Sequence, residues 1–257
     1  MNETEKILKT ASLLGRRILE SGGEIYRVED SMKRFLTAYG IEKPQIFAIP
    51  ATIITTVCDG DGKSYTVTER IESVSLNMDR LDKFNALCRL ACLEKPDIQT
   101  VNKEIEKINR SEMFGSKRLI LAYGIASRFF CLFWGGTFKD FIPAFIAGML
   151  TKLVLDFMNK AEANLFFSNV CGARVIAAVA IISYLSGLAG NMDMIIIGSI
   201  MTLVPGVAIT NIMRDIIRGD VITGTTKIAE VLLTATAIAI GTGIPIALVR
   251  ALTGGMI

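Results

Sequence analysis

Apolar and polar positions divide the chain into two parts. Residues 1–116 mix short apolar stretches with many Lys, Arg, Glu and Asp, whereas residues 117–257 contain most of the long apolar runs. A helix needs roughly 20 apolar residues to cross a bilayer. Five segments approach this length, and we predict spans at about 119–136, 138–158, 167–188, 191–212 and 226–250. The pattern therefore predicts a membrane α-helical bundle of about five transmembrane helices that follows a polar N-terminal domain.

The polar domain shows the periodicities of both helices and strands. Apolar residues that recur every three or four positions predict helices at about 4–20, 25–39, 79–93 and 97–110. Runs rich in Thr, Val, Ile and Tyr predict strands at Gln45–Ile49, Thr52–Cys58 and Tyr65–Arg70. The sequence DGDGK between the last two runs predicts a hairpin turn. The domain is therefore expected to have an α+β fold.

Lysine and arginine residues near the predicted spans set the expected orientation. One side carries Lys107, Arg110, Lys117, Arg118, Lys160, Arg214, Arg218 and Lys227. The opposite side carries only Lys139 and Arg250. Cytoplasmic flanks hold an excess of Lys and Arg. We therefore expect a multi-pass protein of the cell (inner) membrane, with a cytoplasmic N-terminal domain and an extracytoplasmic C-terminus. The N-terminus lacks the layout of a signal peptide.

Composition excludes several classes of function. The net charge is only +3, and no basic stripe interleaves with aromatic residues, so nucleic acid binding is not expected. The chain has no His, which removes His-based nucleophiles and His-ligated zinc. Cys88 and Cys92 have no second Cys pair, so no metal or cofactor is expected. The GDGKS of the turn is not a Walker A motif, because Val57 stands where its first Gly is required.

The fourth predicted span contains residues that a lipid-facing helix avoids. Pro205 removes a backbone donor, and Gly206 weakens the helix beside it. Thr210 and Asn211 then supply polar side chains within two turns. Many secondary transporters bind substrate at interrupted helices, because half-helix ends offer unpaired N–H and C=O groups. The alternative is a proline kink that only shapes helix packing.

Charged residues in and after the spans are further candidates. A charge at mid-bilayer costs roughly 2.5–3.5 kcal/mol, so such a side chain usually faces protein or water. The candidates are Arg128 in the first span, Arg214, Asp215, Gly219 and Asp220 in the polar link, and Glu230 at the start of the fifth span. The alternative interpretation of the link is a solvated connector that carries positive-inside arginines.

A second group of candidates lies in the polar domain. Ser21 and Glu24 have the spacing of a capping box. Glu29 and Asp30 stand four residues before Lys33 and Arg34, which predicts surface ion pairs. Periodicity leaves Tyr26 and Arg27 unexplained. A substrate or interface role for Glu24, Tyr26, Arg27 and Glu29 is therefore a hypothesis.

Two stretches resemble the hallmarks of the threonine/serine exporter family. The first is TLVPGVAITNIMRDIIRGDVITGTTKIAEVLL, residues 202–233, with Pro-Gly, Thr-Asn, Arg-Asp and Gly-Asp in the family's order. The second is SGGEIYRVEDSMKRFLTAYG, residues 21–40. The length resembles the shorter, two-component form of the family, which is associated with succinate export. That resemblance implies a second small hydrophobic membrane subunit as partner.

The resemblance implies a secondary exporter of threonine and serine, or of dicarboxylates such as succinate, in exchange with protons. Pro205, Gly206, Thr210 and Asn211 are expected to shape the site. Arg214 or Arg128 is expected to bind the carboxylate, and Asp215, Asp220 or Glu230 to carry a proton. Two alternatives stay open. One is a membrane-anchored hydrolase that uses Glu24, Glu29 and Asp30, and the other is a non-transporting sensor or regulatory subunit.

Overall fold

The computed structural model describes residues 2–60, 62–111 and 114–253. The described chain is mostly helical, with one small sheet. Its helices are α1 (Glu3–Glu20), α2 (Ile25–Ala38), α3 (Met78–Glu94), α4 (Ile98–Asn109), α5 (Ser116–Phe133), α6 (Phe141–Lys160), α7 (Leu165–Leu185), α8 (Met192–Ile200), α9 (Gly206–Ile217) and α10 (Val221–Leu252). The strands are β1 (Gln45–Ile49), β2 (Thr52–Cys58) and β3 (Ser64–Arg70).

The chain divides into two compact units. Unit 1 comprises Met1–Glu112 and Asn211–Thr225, and unit 2 comprises Met113–Thr210 and Thr226–Ile257. Unit 1 therefore combines the polar N-terminal part with a short segment from the far end of the sequence. The predicted boundary at residue 116 does not anticipate this second segment.

Unit 1 has an aliphatic core between its helices and its sheet. The predicted strands are confirmed, and they pair in the antiparallel order β1-β2-β3. The inward residues Ile53 and Val57 of β2 belong to the same buried cluster as Val28, Met32 and Phe35 of α2. The hairpin turn is also found, since the N–H of Asp59 donates to the carbonyl of Lys63 over 3.0 Å. Local periodicity thus predicts most of this unit.

Unit 2 packs its helices closely through small residues. Helix α5 contacts α6 and α8, and α7 contacts the same two helices. A Cβ on Gly148 of α6 would lie 2.5 Å from the carbonyl oxygen of Tyr123, and one on Gly198 would lie 2.5 Å from the Cα of Cys131. Asp140 joins two of the links, because it accepts hydrogen bonds from the N–H groups of Gly190 and Asn191. Glycine is therefore required where these helices meet.

Three helices among the described residues are long and apolar enough to cross a membrane: α6, α7 and α10. They correspond to the second, third and fifth predicted spans. Helix α5, at the first predicted span, is not among them and carries Lys117, Arg118 and Arg128. The fourth segment is divided into α8 and α9, so the predicted interruption at Pro205 and Gly206 is confirmed. Most of the polar link after this interruption is helical, because α9 continues to Ile217 and α10 begins at Val221.

Candidate functional site

The turn between α1 and α2 presents Glu24 at a helix start. Gly22 has a φ of 90°, and the N–H groups of Gly22 and Gly23 donate to Leu19 and Ile18. These bonds form the glycine-containing C-terminal cap of α1. The Ser21 hydroxyl donates to the carbonyl of Arg17, so it closes α1 and does not cap α2. The predicted capping box is therefore wrong, and Glu24 makes no capping hydrogen bond with its side chain.

A second cap of the same type ends α9. Gly219 has a φ of 89°, and the N–H groups of Gly219 and Asp220 donate to Ile216 and Asp215. The carbonyl of Asp220 then accepts from the N–H of Gly224 in the first turn of α10. Gly219 and Asp220 therefore stop one helix and start the next. This junction fixes the last turn of α9, which carries Arg214, and it fixes Arg218, which follows directly after the helix.

Glu24 and Arg214 meet although 190 residues separate them in sequence. Arg214 Nη1 donates to Glu24 Oε1, and Arg27 Nε lies 2.8 Å from Glu24 Oε2. The Glu24 side chain is only 7% exposed. A hydrogen bond in which both groups are charged is about twice as strong as a neutral one. Glu24 is thus a buried carboxylate held between two guanidinium groups.

Tyr26 connects this pair to a third arginine. Its hydroxyl accepts from Arg27 Nε over 2.9 Å, and the Cζ of Arg218 lies 3.4 Å from the centroid of its ring. A guanidinium over an aromatic ring is held by the ring quadrupole. We call Glu24, Tyr26, Arg27, Arg214 and Arg218 the arginine cluster. With three positive groups around one carboxylate, the cluster has a surplus of positive charge, which favours anions.

The arginine cluster borders an open cleft in unit 1. The cleft has a volume of about 690 Å³, and Tyr26 and Arg27 line it together with residues of α3. Arg34 and Arg89 add two further guanidinium groups to its walls, and Asp30 and Asp82 add two carboxylates. A small polar metabolite fits this volume. The cleft therefore gives such a molecule a path to Arg27.

Glu29 stands apart from the arginines. It is half-buried and accepts a hydrogen bond from the N–H of Ala48 over 2.9 Å. Burial raises the pKa of Glu29 above its ordinary value, and the nearby charge of Asp220 raises it further. The predicted pair of Asp30 with Arg34 is confirmed at 2.8 Å. The described ion pairs do not include the predicted pair of Glu29 with Lys33, because Glu29 turns to the sheet.

The remaining candidates fall in both units. In unit 2, the hydroxyl of Thr210 donates to the carbonyl of Gly206, Pro205 accepts from Ile209, and Glu230 is exposed. In unit 1, Asn211 is half-buried and Asp215 is 2% exposed. Within unit 1, the structure therefore brings Glu24, Tyr26, Arg27 and Arg214 together.

Arg128 in unit 2 has aromatic neighbours. Its Cζ lies 5.0, 4.6 and 5.3 Å from the ring centroids of Phe129, Phe141 and Phe145. Among the described residues, no carboxylate lies within ion-pair distance of Arg128, and its buried Nε has no hydrogen-bond partner. The hypothesis that Arg128 pairs with an acidic residue is therefore not supported in the described chain, and cation–π contacts hold the charge instead.

Sequence reasoning missed two of these contacts. It explained Arg218 as a positive-inside residue, although its spacing of four from Arg214 places both on one face of a helix. It also passed over Asp140, which stands just before the start of α6. The thiols at Cys88 and Cys92 offer little chemistry, because burial raises the pKa of Cys88 to about 12.

Comparisons with known proteins agree with the two sequence motifs. The family described as putative threonine/serine exporter matches residues 9–249. The chain is also 23% identical over 230 residues to a probable succinate transporter subunit, YjjP, from Klebsiella aerogenes, with 87% of each chain covered. No solved structure matches the chain. Because the family match covers nearly its whole length, this protein belongs to the threonine/serine exporter family.

Proposed function

We propose that this chain is a subunit of a secondary exporter of small carboxylate-bearing metabolites in the bacterial inner membrane. The substrates are threonine and serine, or dicarboxylates such as succinate. The family match carries the proposal, and the relative named as a succinate transporter subunit supports the dicarboxylate and the need for a second membrane subunit. Five spans, a cytoplasmic α+β domain and proton exchange are parts of the same proposal. It assigns no catalytic activity to the chain.

The interrupted fourth segment supports a transport role. Helix α8 ends at Ile200 and α9 begins at Gly206, after a proline that has no N–H group. The N-terminus of a helix carries a partial positive charge and free N–H groups, which attract carboxylates. Arg214 lies about two turns further along the same helix. In this proposal, Pro205, Gly206, Thr210 and Asn211 shape the substrate path.

Arginine and carboxylate side chains supply the remaining roles. Arg214 binds the substrate carboxylate, since a guanidinium matches a carboxylate with two parallel hydrogen bonds. Arg128 is the second candidate, because its buried Nε has no partner among the described residues. Asp215, Asp220 or Glu230 carries the exchanged proton in this proposal.

Replacement of Arg214 by Gln tests this assignment. The chain and its partner subunit are reconstituted in proteoliposomes, and export of labelled succinate, threonine and serine is measured. We expect the Arg214→Gln variant to lose at least about tenfold in rate, equal to about 1.4 kcal/mol, while membrane insertion stays normal. The matched control is Arg110→Gln, since Arg110 is exposed, pairs only with the exposed Glu106 among the described ion pairs, and does not line the cleft.

Two results would contradict the proposal. If Arg214→Gln exports at the wild-type rate, Arg214 is not part of the transport path. The second result is that wild-type proteoliposomes with an imposed proton gradient move none of the three substrates. In that case, the chain is not a subunit of an exporter of small carboxylate-bearing metabolites.

A further inference from the structure

Glu24 occupies the position that a ligand carboxylate would take beside Arg214. Its Oε1 accepts from Arg214, and its Oε2 lies 2.8 Å from Arg27. The side chain is buried, and Oε2 makes no hydrogen bond of good geometry with the described residues. A buried charge is stable only when it is paired. The arginine cluster is therefore arranged around one carboxylate, and the protein itself supplies that carboxylate.

We infer that the arginine cluster is a self-occupied carboxylate-binding site, in which Glu24 blocks Arg214 until a small metabolite with a carboxylate displaces it. This inference rests on the proposed function and adds its regulation. The exchange replaces one carboxylate by another at the same donors, so the arginines stay paired throughout. A dicarboxylate gains more than a monocarboxylate, because its second group can bind Arg27 or Arg218.

The charges of the cluster favour such an exchange. Arg27 and Arg214 contact the Glu24 carboxylate, and Arg218 lies over the ring of Tyr26, so the cluster holds three guanidinium groups and one carboxylate. The ring of Tyr26 holds Arg218 in place without using the N–H donors of its edge. Arg27 is 56% exposed and lines the cleft, which lets a soluble anion approach. An approaching metabolite can therefore bind the free N–H groups of the cluster arginines before Glu24 leaves Arg214.

The tether of Glu24 sets the metabolite concentration at which displacement begins. A group attached to the same chain competes as if it were present at millimolar concentration or above. Glu24 lies at the start of α2, where the turn after α1 fixes its backbone, so it competes at the upper end of that range. Only a metabolite that accumulates to millimolar levels displaces it. The cluster thus acts as a threshold that keeps the exporter closed at low substrate concentration.

Binding of labelled succinate to the full-length chain in lipid nanodiscs tests the inference without any transport step. Replacement of Glu24 by Gln removes the competing charge and keeps the shape, so we expect about tenfold tighter succinate binding, and a smaller gain for threonine. The double variant Glu24→Gln with Arg214→Gln should lose this gain. Glu106→Gln is the matched control, because Glu106 is exposed, pairs with the exposed Arg110 and does not line the cleft, and its affinity should equal that of the wild type. Succinamide, which has no charge, should not bind any variant.

The wild-type chain provides a second test that does not depend on a substitution. Saturating succinate should speed amide hydrogen exchange at residues 24–28 and 214–219, because the contact between Glu24 and Arg214 opens. Equal exchange with and without bound succinate overturns the inference, as does equal or weaker binding by a folded Glu24→Gln chain. Either failure leaves the exporter proposal intact if the proteoliposomes still transport. Failure of transport together with normal succinate binding contradicts the exporter proposal instead.

Discussion

Arg214 in unit 1 and Arg128 in unit 2 carry the same charge in different surroundings. Arg214 donates to the carboxylate of Glu24, which another arginine also approaches. Arg128 lies among three phenylalanine rings, and no described carboxylate is within ion-pair distance. One arginine is neutralised by an opposite charge, whereas the other keeps its full charge beside polarisable ring faces.

The difference shows which arginine needs a displacement before it can bind an anion. A ligand at Arg214 must replace Glu24, and the exchange of one carboxylate for another is nearly balanced in energy. The rings at Arg128 leave its hydrogen-bond donors unused, so an anion there meets no competitor. Removing each charge should therefore have different consequences for stability. Three experiments, ordered by the size of the expected effect, test this comparison.

The largest loss of stability is expected from a substitution where α5 packs against α6, the two helices that carry Arg128 and its neighbouring rings. Replacement of Gly148 by Leu places a side chain against Ser127 and against the carbonyl of Tyr123, only 2.5 Å from its Cβ. The two helices must separate, which costs about 1–3 kcal/mol or more. We expect loss of most of the monodisperse protein in size-exclusion chromatography and a lower thermal midpoint.

Gly243→Leu is the matched control for this substitution. Gly243 also lies in a helix, α10, but a Cβ there meets no atom within 4 Å. The control should keep its yield and thermal midpoint. A folded Gly148→Leu protein with a normal midpoint would mean that α5 and α6 are not packed this closely, and the aromatic surroundings of Arg128 would need to be revised.

A double-mutant cycle on Glu24 and Arg214 should give the next largest effect. Arg214→Gln leaves a buried carboxylate with only Arg27 as its partner, which costs about 1–3 kcal/mol. The double variant with Glu24→Gln should recover part of this loss, with a coupling energy of about 1–2 kcal/mol. The free energy of unfolding in mixed micelles measures each variant.

Arg128→Met provides the contrast within the same measurement. Methionine keeps contact with the three rings and leaves no carboxylate unpaired. We expect a loss of at most about 1 kcal/mol. A coupling energy near zero for Glu24 and Arg214, or a larger loss at Arg128 than at Arg214, would reverse the comparison.

The smallest effect concerns Glu29, a half-buried carboxylate of unit 1 that forms none of the described ion pairs. Burial raises its pKa in the folded chain, so its protonated form is favoured there. The wild type therefore loses stability as pH rises through this raised pKa. Glu29→Gln removes that loss. The thermal midpoint of Glu29→Gln minus that of the wild type should therefore increase as the pH rises from 4 to 7.

Asp220→Asn sharpens this last prediction. The charge of Asp220 contributes to the raised pKa of Glu29, and asparagine still allows the start of α10. In that background, the gain from Glu29→Gln should shrink. A midpoint difference that does not change with pH would show that Glu29 has an ordinary pKa in the folded chain.

The sequence by itself determined the local elements. Runs rich in Thr, Val, Ile and Tyr predicted the three strands within one residue, because strand preference depends on a segment's own side chains. Pro205 interrupted the fourth segment for an equally local reason, since proline has no N–H group. The pattern of Ser21 and Glu24 was misleading because a serine can serve the helix before it as well as the one after. Local rules cannot choose between two neighbouring helices.

Only the tertiary structure decided which charges meet. The pairing of Glu24 with Arg214 joins the two family motifs across 190 residues, and no periodicity records such a distance. Residues 211–225 belong with unit 1 for the same reason, because membership in a compact unit depends on packing between distant segments. The neighbouring rings of Phe141 and Phe145 around Arg128 likewise became known only from the structure. The partner of a side chain depends on the folded geometry, whereas its tendency to form a helix or strand depends on the residue and its neighbours in sequence.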